Sequence, residues 1–405
     1  MRGCAGRRPT TLASEPRPRP VIFPRLPARP LILPGFAWAP PSPTRGEGGS
    51  ASRLGLGLLL GLTLAFGHLD KSAAAADPPA ATYLAHSHAA IRALDRRWGA
   101  GDDWRGINAW QRFVIVGALA DYTALSGDRA YLPRIKAAVI NRQGLDGNDD
   151  DLWAALAGLR VRELTHDDSL LAYAEQTFDR ITAGYWDEVC GGGLWWDHQR
   201  SYKNAITNSL ALHAAALLYR DTGKPAYRDW ALREDRWIVS SGMIGADGLL
   251  NDGLKQSQNG SCVNNGGPVF TYNQGVYLAG EAALYRITGD VAERDRARGV
   301  ALASVRRLSS DDGILTEPGA PLNQDRTIFK GVFIRHLGQW VAEAPPGPAQ
   351  RALARYIRRN ADHVWRARRS GDLFGAVWSD GSGEAGAAAQ ASAIDLFNAA
   401  AEVSR

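Results

Sequence analysis

Three consecutive aspartates stand where a polar turn runs into a segment of helix-forming residues. The chain there reads Gly147-Asn148-Asp149-Asp150-Asp151, followed by Leu152 to Ala157. An aspartate at the start of a helix can cap it, because a carboxylate accepts hydrogen bonds from free backbone N–H groups and suits the positive end of the helix dipole. Three acids exceed what a cap requires, and like charges this close raise the pKa of one carboxyl, as an acid/base residue needs. The pattern therefore predicts a catalytic pair, with helix capping as the simpler alternative.

Aromatic and polar side chains gather in a later polar segment, after three consecutive glycines. They are Trp195, Trp196, Asp197, Lys203, Asn204 and Asn208. Indole rings stack on the C–H faces of sugars, and sugar hydroxyls need fixed donors and acceptors. Packing in the core is the alternative for either tryptophan, since the chain holds 13 of them. The segment therefore predicts a carbohydrate-binding surface.

Two further clusters repeat this composition where loops run into helical segments. The candidate binding residues in them are Tyr272, Asn273, Gln274, Phe329 and Lys330. An amide at the start of a helix can be a cap or can fill a loop. Its recurrence beside aromatic residues indicates that hydrogen-bonding groups line one end of the helical assembly.

Other chemistries have little support in the sequence. His198, His213 and His336 have no partner at metal-ligand spacing, and there is no C-x-x-C pair. Neither a G-x-S-x-G elbow nor a phosphate-binding glycine loop occurs. We therefore expect no metal site and no cofactor.

The elements that position these residues are helices. From residue 81 onward, apolar residues recur at helical spacing in about twelve segments. These lie near 81–98, 107–124, 130–142, 150–165, 168–183, 203–221, 226–241, 272–288, 291–308, 328–342, 348–368 and 386–402. Between them recurs a junction in which Gly127, Gly223 or Gly289 ends one helix in the left-handed conformation, and Asp or Pro opens the next.

Helical hairpins of this kind build either an open superhelix or two concentric rings of six helices. Periodicity does not choose between the two. The intervening loops are long and rich in Gly, Asn, Asp and Trp, as a working surface on a rigid scaffold would be. This composition favours the closed rings.

Positive charge is concentrated in the first part of the chain. Residues 1–53 hold nine arginines against two glutamates, whereas the whole chain carries a net charge of +5. The remainder therefore carries a net charge of −2, which is not the basic footprint of a nucleic-acid-binding domain. We expect no nucleic-acid partner.

An export signal is predicted at about residues 51–76. The apolar run Leu54 to Phe66 follows Arg53 and precedes the small residues Ala73 to Ala76, which is the order of a secretory signal. A buried core helix is the alternative, but the run is rich in glycine and has no polar face. We therefore divide the chain into a leader and signal, 1–76, and a catalytic domain, 77–405. The mature protein should be secreted or periplasmic, without stable membrane insertion.

Cleavage of this signal removes Cys4 and leaves Cys190 and Cys262 in the mature chain. In an exported protein these two cysteines could form one disulfide. Two buried thiols are the alternative, and the sequence does not decide between them.

Taken together, these motifs resemble glycoside hydrolase family 76, the endo-α-1,6-mannanase family. The matching stretches, in family order, are the Asp149-Asp150 pair ahead of Trp153, then GGGLWW, YKNAITNSLAL, TYNQGVYLAGEAALYRITGD and DRTIFKGVFIRHL. They cover roughly residues 81–402. One departure is Ala154, where the family usually has a second aromatic residue, and this puts chain-length preference and tolerance of side branches in doubt.

The resemblance implies an all-α fold, an (α/α)6 barrel of about twelve helices, and hydrolysis of α-mannan with retention of configuration and without a metal. Carried over to this sequence, Asp149 is the nucleophile, Asp150 is the acid/base, and Trp153 contacts the sugar. A retaining enzyme needs two carboxyl groups about 5 Å apart, which adjacent residues reach where a chain turns into a helix. Asp151 is then the candidate for the cap or the dipole partner. A transglycosylase of the same fold and a glycan-binding protein without turnover are the competing hypotheses.

Overall fold

The computed structural model describes residues 78–257, 261–319 and 321–405. All of them fall within one unit of the chain, Ala73–Arg405. The predicted leader and signal lie outside the described residues, and the division at residue 76 stays a prediction.

The described chain is helical, as predicted, and contains twelve α-helices and two small antiparallel hairpins. The helices are α1 (Ala80–Trp98), α2 (Gln111–Ser126), α3 (Leu132–Ile140), α4 (Asn148–Thr165), α5 (Asp168–Tyr185), α6 (Ala205–Thr222), α7 (Pro225–Ser240), α8 (Thr271–Thr288), α9 (Val291–Arg307), α10 (Gln324–Glu343), α11 (Pro348–Arg366) and α12 (Ala387–Glu402). One hairpin pairs β1 (Gly99–Ala100) with β2 (Asp103–Trp104), and the other pairs β3 (Leu254–Gln256) with β4 (Cys262–Asn264). Of these helices, none is long and apolar enough to cross a membrane.

The glycine junctions end helices as predicted. Gly127, Gly223 and Gly289 have φ values of 76°, 67° and 74°, and the N–H of each donates to the carbonyl four residues earlier. Pro225 is the first residue of α7, and the side chain of Asp290 caps α9. These backbone positions reverse the chain, so consecutive helices pack as antiparallel hairpins.

Two predicted helix starts are wrong by four residues. Residues 107–110 form a turn before α2, in which Asn108 and Trp110 reach across to α10. Helix α10 begins at Gln324 rather than near residue 328, because Asn323 caps it by accepting a hydrogen bond from the Arg326 N–H at 2.9 Å. The first difference arises from side-chain hydrogen bonds to the distant helix α10, and the second from a local cap.

The even-numbered helices form a closed inner ring. Helix α2 packs on α4, and the series continues through α6, α8, α10 and α12, which packs back on α2. Nearly every residue of α12 is buried, whereas the outer helix α11 buries only one stripe of residues against it. This closure excludes the open superhelix, and the chain forms the expected (α/α)6 barrel.

Polar groups inside the barrel join the two ends of this ring. The Arg335 guanidinium of α10 donates to Asp395 Oδ1 of α12 at 2.9 and 2.7 Å, and to the Val114 carbonyl of α2 at 2.6 Å. The Asn398 amide of α12 donates to the Ala118 carbonyl of α2 at 2.8 Å. Since these groups are buried, losing any one partner would leave an uncompensated polar atom, which makes the closure specific.

Close helix approach in the ring requires glycine at position 275. A Cβ on Gly275 of α8 would lie 2.5 Å from Phe333 Cα of α10. Gly299 of the outer helix α9 is exposed and has open space at the same position. The two glycines therefore form a matched pair for testing how tightly the inner ring is packed.

We expect Gly275→Ala to lower the free energy of unfolding by about 1–3 kcal/mol, because the added methyl group separates α8 from α10. Gly299→Ala should raise it by roughly 0.5–1 kcal/mol through helix propensity alone. Urea unfolding of both variants measures the difference. Equal changes in the free energy of unfolding would mean that α8 and α10 can separate at this contact with little loss of stability.

Candidate active site

Five helices of the inner ring point their N-terminal ends at one cleft of about 760 Å³. The residues that line it include Asn108, Trp110, Asp146, Asp149, Asp150, Trp153, Trp196, Asp197, Tyr202, Asn204, Asp252, Phe270, Tyr272, Asp325 and Phe329. Eight of these were predicted site residues. The cleft therefore unites the four sequence clusters at one end of the barrel.

The aspartate pair stands in the first turn of α4. Asn148 begins this helix, and its backbone N–H donates to the Trp196 carbonyl at 2.9 Å while its side-chain amide donates to the Trp195 carbonyl at 2.8 Å. These two bonds fix the start of α4 against the tryptophan segment. Asp149 and Asp150, which follow Asn148, are thereby held at the wall of the cleft.

Capping does not explain the pair. The N-cap residue of α4 is Gly147, and no side chain caps this helix. Asp150 Oδ2 accepts a hydrogen bond from the Asp146 N–H at 3.2 Å, and Asp149 Oδ1 is buried without a hydrogen-bond partner. Asp151 faces away from the cleft and pairs with Arg180 at 2.7 Å. Neither carboxyl of the pair caps α4, and both line the cleft.

Burial raises the pKa of both carboxyls of the pair. The pKa of Asp149 rises to about 8, through desolvation first and the charge of Asp150 second, while the Trp196 indole N–H acts in the opposite direction. The pKa of Asp150 rises to about 6, again mainly through desolvation, with the charges of Asp151, Asp146 and Asp325 adding to it. Near neutral pH the pair therefore holds one proton. A retaining glycosidase needs this state, in which one carboxyl is ionised and the other is protonated.

Four aromatic rings, from α4, α8, α10 and the turn before α2, form one continuous wall of the cleft. Tyr272 and Phe329 stack with ring centroids 3.7 Å apart and planes 1° from parallel. Trp110 packs on both Trp153 and Phe329, at 5.7 and 6.1 Å. Trp196 lies on another side of the cleft, and 41% of its surface is exposed. Flat apolar faces of this kind suit the C–H faces of a sugar chain.

Three carboxylates of the cleft, Asp146, Asp252 and Asp325, were missed by the sequence analysis. Asp325 Oδ1 accepts hydrogen bonds from Asn108 Nδ2 at 2.6 Å, Trp110 Nε1 at 3.0 Å and Gln111 Nε2 at 3.4 Å. It thereby fixes the position of the Trp110 ring. The sequence did contain an indication that Asp325 belongs to the site, because it lies in the first turn of the helix that also carries the predicted residue Phe329.

Asp252 is the second missed carboxylate. It accepts hydrogen bonds from the Tyr202 hydroxyl at 3.0 Å and the Asn273 amide at 3.3 Å, and burial raises its pKa. It lies in a loop before β3 and belongs to none of the motifs. Only the fold brings it to the cleft.

Lys203 and Trp195 were predicted to bind substrate, and the structure places both outside the cleft. The Lys203 side chain is buried, and its Nζ donates to Asp187 Oδ1 at 2.7 Å and to the carbonyls of Val189 and Gly192 at 2.6 and 2.7 Å. The Trp195 indole N–H also donates to Asp187, at 2.8 Å. Both residues therefore hold the loop that carries Trp196.

Asn208, Asn273, Gln274 and Lys330 are also buried and absent from the cleft lining. Asn208 pairs with both backbone groups of Leu194, and Gln274 pairs in the same way with Leu250. Asn273 donates to Asp252, as described above. The structure therefore does not bring these four residues into the lining of the cleft. Their polar groups are used by loops that support the site.

Lys330 illustrates the same point on α10. Its Nζ donates to the Ala376 carbonyl at 3.0 Å and lies 5.4 Å from the Trp378 ring centroid. Burial lowers the pKa of Lys330 to about 8, against the opposing charge of Glu317. Its neighbour Phe329 faces the cleft, because consecutive helical residues point in different directions.

Cys190 and Cys262 form a disulfide, which decides between the two alternatives that the sequence left open. The bond joins the loop before Trp195 to strand β4, across 72 residues of sequence. Within the described ranges, no group of three or more His, Cys, Asp or Glu side chains is arranged to hold a metal ion.

Comparison with known proteins shows the family of this chain. The model of glycosyl hydrolase family 76 matches residues 82–403. The mannan endo-1,6-alpha-mannosidases DCW1 of Candida glabrata and Saccharomyces cerevisiae are each 30% identical to this chain, over 273 and 264 residues. The alignments cover 60% and 58% of this chain, and 60% and 57% of those proteins. The chain thus spans less than two thirds of the curated relatives' length.

Among solved structures, the fold is similar to that of the alpha-1,6-mannanase GH76A of Salegentibacter sp. HEL1_6. A variant of that enzyme described as inactive, with two consecutive aspartates replaced by asparagines and alpha-1,6-mannotriose bound, superposes with a TM-score of 0.73 at 23% identity. The match covers 79% of this chain and 99% of that one. At this identity the likeness shows the fold, whereas the family model covers most of the chain. The chain belongs to glycosyl hydrolase family 76.

Proposed function

We propose that this protein is an exported, retaining endo-α-1,6-mannanase that hydrolyses α-1,6-mannan-type polysaccharide. The observation that carries the proposal is the Asp149–Asp150 pair, two adjacent carboxyls whose pKa values are raised by burial at the wall of an aromatic cleft. The names of the curated relatives support the substrate class. The inactive neighbour supports the role of the pair, since its two replaced aspartates are also consecutive.

In the proposed mechanism, the Asp149 carboxylate attacks the anomeric carbon and forms a glycosyl-enzyme ester. Asp150 donates its proton to the glycosidic oxygen, so that the leaving sugar departs as a neutral alcohol. Asp150, now ionised, then takes a proton from water, which attacks the ester and releases Asp149. The two displacements together retain the configuration.

These roles require the proton to be on Asp150 when substrate is bound. In the free cleft burial favours protonation of Asp149, since its pKa is raised further than that of Asp150. A bound sugar can reverse this order, because a hydroxyl group that donates to the Asp149 carboxylate stabilises its ionised form. The Trp196 indole N–H acts in the same direction.

The other residues of the cleft bind and orient the sugar chain. Tyr272, Phe329 and Trp196 offer faces for stacking, while Asp252 and Asp325 offer carboxylate oxygens to sugar hydroxyls. Stacking contacts depend little on which sugar unit of the chain lies on the ring, whereas hydrogen bonds distinguish one kind of sugar from another. A polysaccharide held in this way is positioned with one linkage beside the aspartate pair.

Export is supported by the order of the predicted signal and by the Cys190–Cys262 disulfide. Disulfides persist in oxidising compartments and are rare in the reducing cytosol. The proposed final location is therefore the periplasm or the medium.

We expect unbranched α-1,6-mannan and its oligosaccharides to be cut internally into short α-1,6-mannooligosaccharides. Asp149→Asn and Asp150→Asn should each lower turnover by orders of magnitude while the protein stays folded, because one loses the attacking charge and the other the transferable proton. Chromatography of the products measures both. Longer products at high oligosaccharide concentration would instead assign the site to transglycosylation.

Added azide distinguishes the two roles, on a substrate with a good leaving group. With Asp150→Asn, azide should attack the glycosyl-enzyme and give a glycosyl azide of retained configuration. With Asp149→Asn, azide should attack directly and give the inverted product. Opposite stereochemistry would reverse the roles, and near-normal activity of both variants would place the catalytic pair elsewhere.

The two tryptophans of the 195–196 segment should respond differently to replacement by alanine. Trp196→Ala should weaken binding of α-1,6-mannooligosaccharides by about 1–3 kcal/mol, because an exposed stacking face is lost. Trp195→Ala should leave this affinity almost unchanged and lower the Tm, since its ring packs on Lys203 and its N–H is bound by Asp187. Calorimetry in the Asp149→Asn background avoids turnover. The reverse pattern would place Trp195 in the binding surface.

Exported protein should begin at about residue 77. The apolar run and the small residues up to Ala76 have the order that signal cleavage requires. N-terminal sequencing of protein from the periplasm or medium measures the start. A mature chain that begins upstream of Leu54 would contradict the predicted signal.

A further inference from the structure

Helix α11 presents an almost purely basic outer surface. Its buried stripe of Leu353, Ala354, Ile357, Ala361 and Val364 faces the barrel, while Arg351, Arg355, Arg359 and Arg366 are exposed. Residues 348–371 contain a single acid, Asp362, which accepts a hydrogen bond from the Tyr83 hydroxyl at 3.0 Å. The outer surface of this helix therefore has little negative charge of its own.

The ends of α1 and α9 extend this surface on either side. Helix α1 contacts α11 where His86 stacks on Trp365, with ring centroids 3.7 Å apart. The segment after α9 contacts α11 through Ser309 Oγ and the Tyr356 hydroxyl at 2.8 Å. The C-terminal ends of α1 and α9 both carry exposed arginines. We define the arginine face by six of the exposed residues: Arg96, Arg97, Arg307, Arg355, Arg359 and Arg366.

The six guanidinium groups of the arginine face form no ion pair with a carboxylate of the described chain. No Asp or Glu of the described residues lies within ion-pair distance of its six guanidinium groups, whereas Arg160, Arg296 and Arg335 elsewhere each pair with two acids. Like charges on neighbouring helices repel one another, and this repulsion opposes folding. An external anionic partner would remove the cost.

The shape of the arginine face favours a flat partner. Helix α11 is 19 residues long, or about 28 Å, and lies on the convex outer ring of the barrel. A groove of about 460 Å³ opens beside it, between Arg96 and Arg97 of α1 and the Ser370–Gly371 turn. Guanidinium groups bind phosphate oxygens in a bidentate manner, and a basic amphipathic helix is typical of a membrane surface.

We propose that the arginine face docks the protein on a bilayer that carries anionic phospholipids, with the arginines on the headgroup phosphates. The outer helices end at the same end of the barrel at which the inner helices begin, and α1 leads through β1 and β2 to Trp110 of the cleft. Docking therefore brings the cleft close to the surface of the bilayer. The docking does not depend on the proposed hydrolysis.

The test is sedimentation of the full chain with vesicles of phosphatidylcholine alone or with about a third of phosphatidylglycerol, at low and at physiological salt. Arg355→Gln/Arg359→Gln should weaken binding to the anionic vesicles at least about ten-fold. The matched control is Arg228→Gln/Arg236→Gln, on the exposed surface of α7, which should bind like the unaltered protein. All variants share the predicted leader and signal, residues 1–76, so the arginines of this segment add the same affinity to each.

Asp149→Asn/Asp150→Asn should bind the vesicles normally, so that loss of turnover and loss of docking are distinguished. Inorganic phosphate should release no more protein than chloride of equal ionic strength, which separates a lipid surface from a site for free phosphate. Equal weakening in the two arginine pairs, or equal binding to neutral vesicles, would overturn the proposal. Unchanged vesicle binding together with a ten-fold loss of duplex DNA affinity in Arg355→Gln/Arg359→Gln would also overturn it.

Discussion

Closure of the inner ring is the constraint on which the site depends. Consecutive helices are antiparallel, so the six helices of a closed inner ring all run in one direction, and five of their N-terminal ends line the same cleft. The buried Arg335–Asp395 contact and the Asn398 amide join α10, α12 and α2 where the ring closes. An open superhelix built from the same hairpins would separate the N-terminal ends, and the four sequence clusters would not meet.

This arrangement also determines the electrostatics of the cleft. The positive ends of several helix dipoles converge there and favour negative charge. The cleft holds six aspartates, and its lining among the described residues includes no Lys, Arg or His. Desolvation by the aromatic wall opposes ionisation of the two aspartates at its centre, whose pKa values rise to about 8 and about 6. These opposing effects favour a proton on the pair without removing its negative charge altogether.

The helices could be predicted closely from the sequence because their signals are local. Glycine at a helix end, an acid or proline at the next start, and apolar spacing are all decided within a few residues, as Gly127, Gly223 and Gly289 show. The aspartate pair was equally accessible, because two adjacent carboxyls before a helix need no distant partner to be recognised. The strands β1 to β4 are too short to give a periodic pattern.

Which polar residues face the cleft could not be predicted, because that depends on the direction of each side chain. Trp195 and Trp196 are neighbours in an extended segment, where successive side chains point to opposite faces, so only one of them can reach the substrate. The side chains of Lys203 and Asn204 also point in different directions. Lys203 is buried and donates to Asp187, whereas Asn204 lines the cleft. Asp252 gave no signal, because its partners Tyr202 and Asn273 are 50 and 21 residues away.

Charge is distributed unevenly over this barrel, although its net charge is small. Outside residues 1–53 the chain carries a net charge of only −2, yet one end of the barrel holds an acidic cleft and the outer helices hold unpaired arginines. Exposed charges more than a Debye length apart, about 8 Å at physiological ionic strength, are largely screened from one another. The two regions therefore act as separate electrostatic surfaces. An average over the domain describes neither the cleft, which repels anions, nor α11, which attracts them.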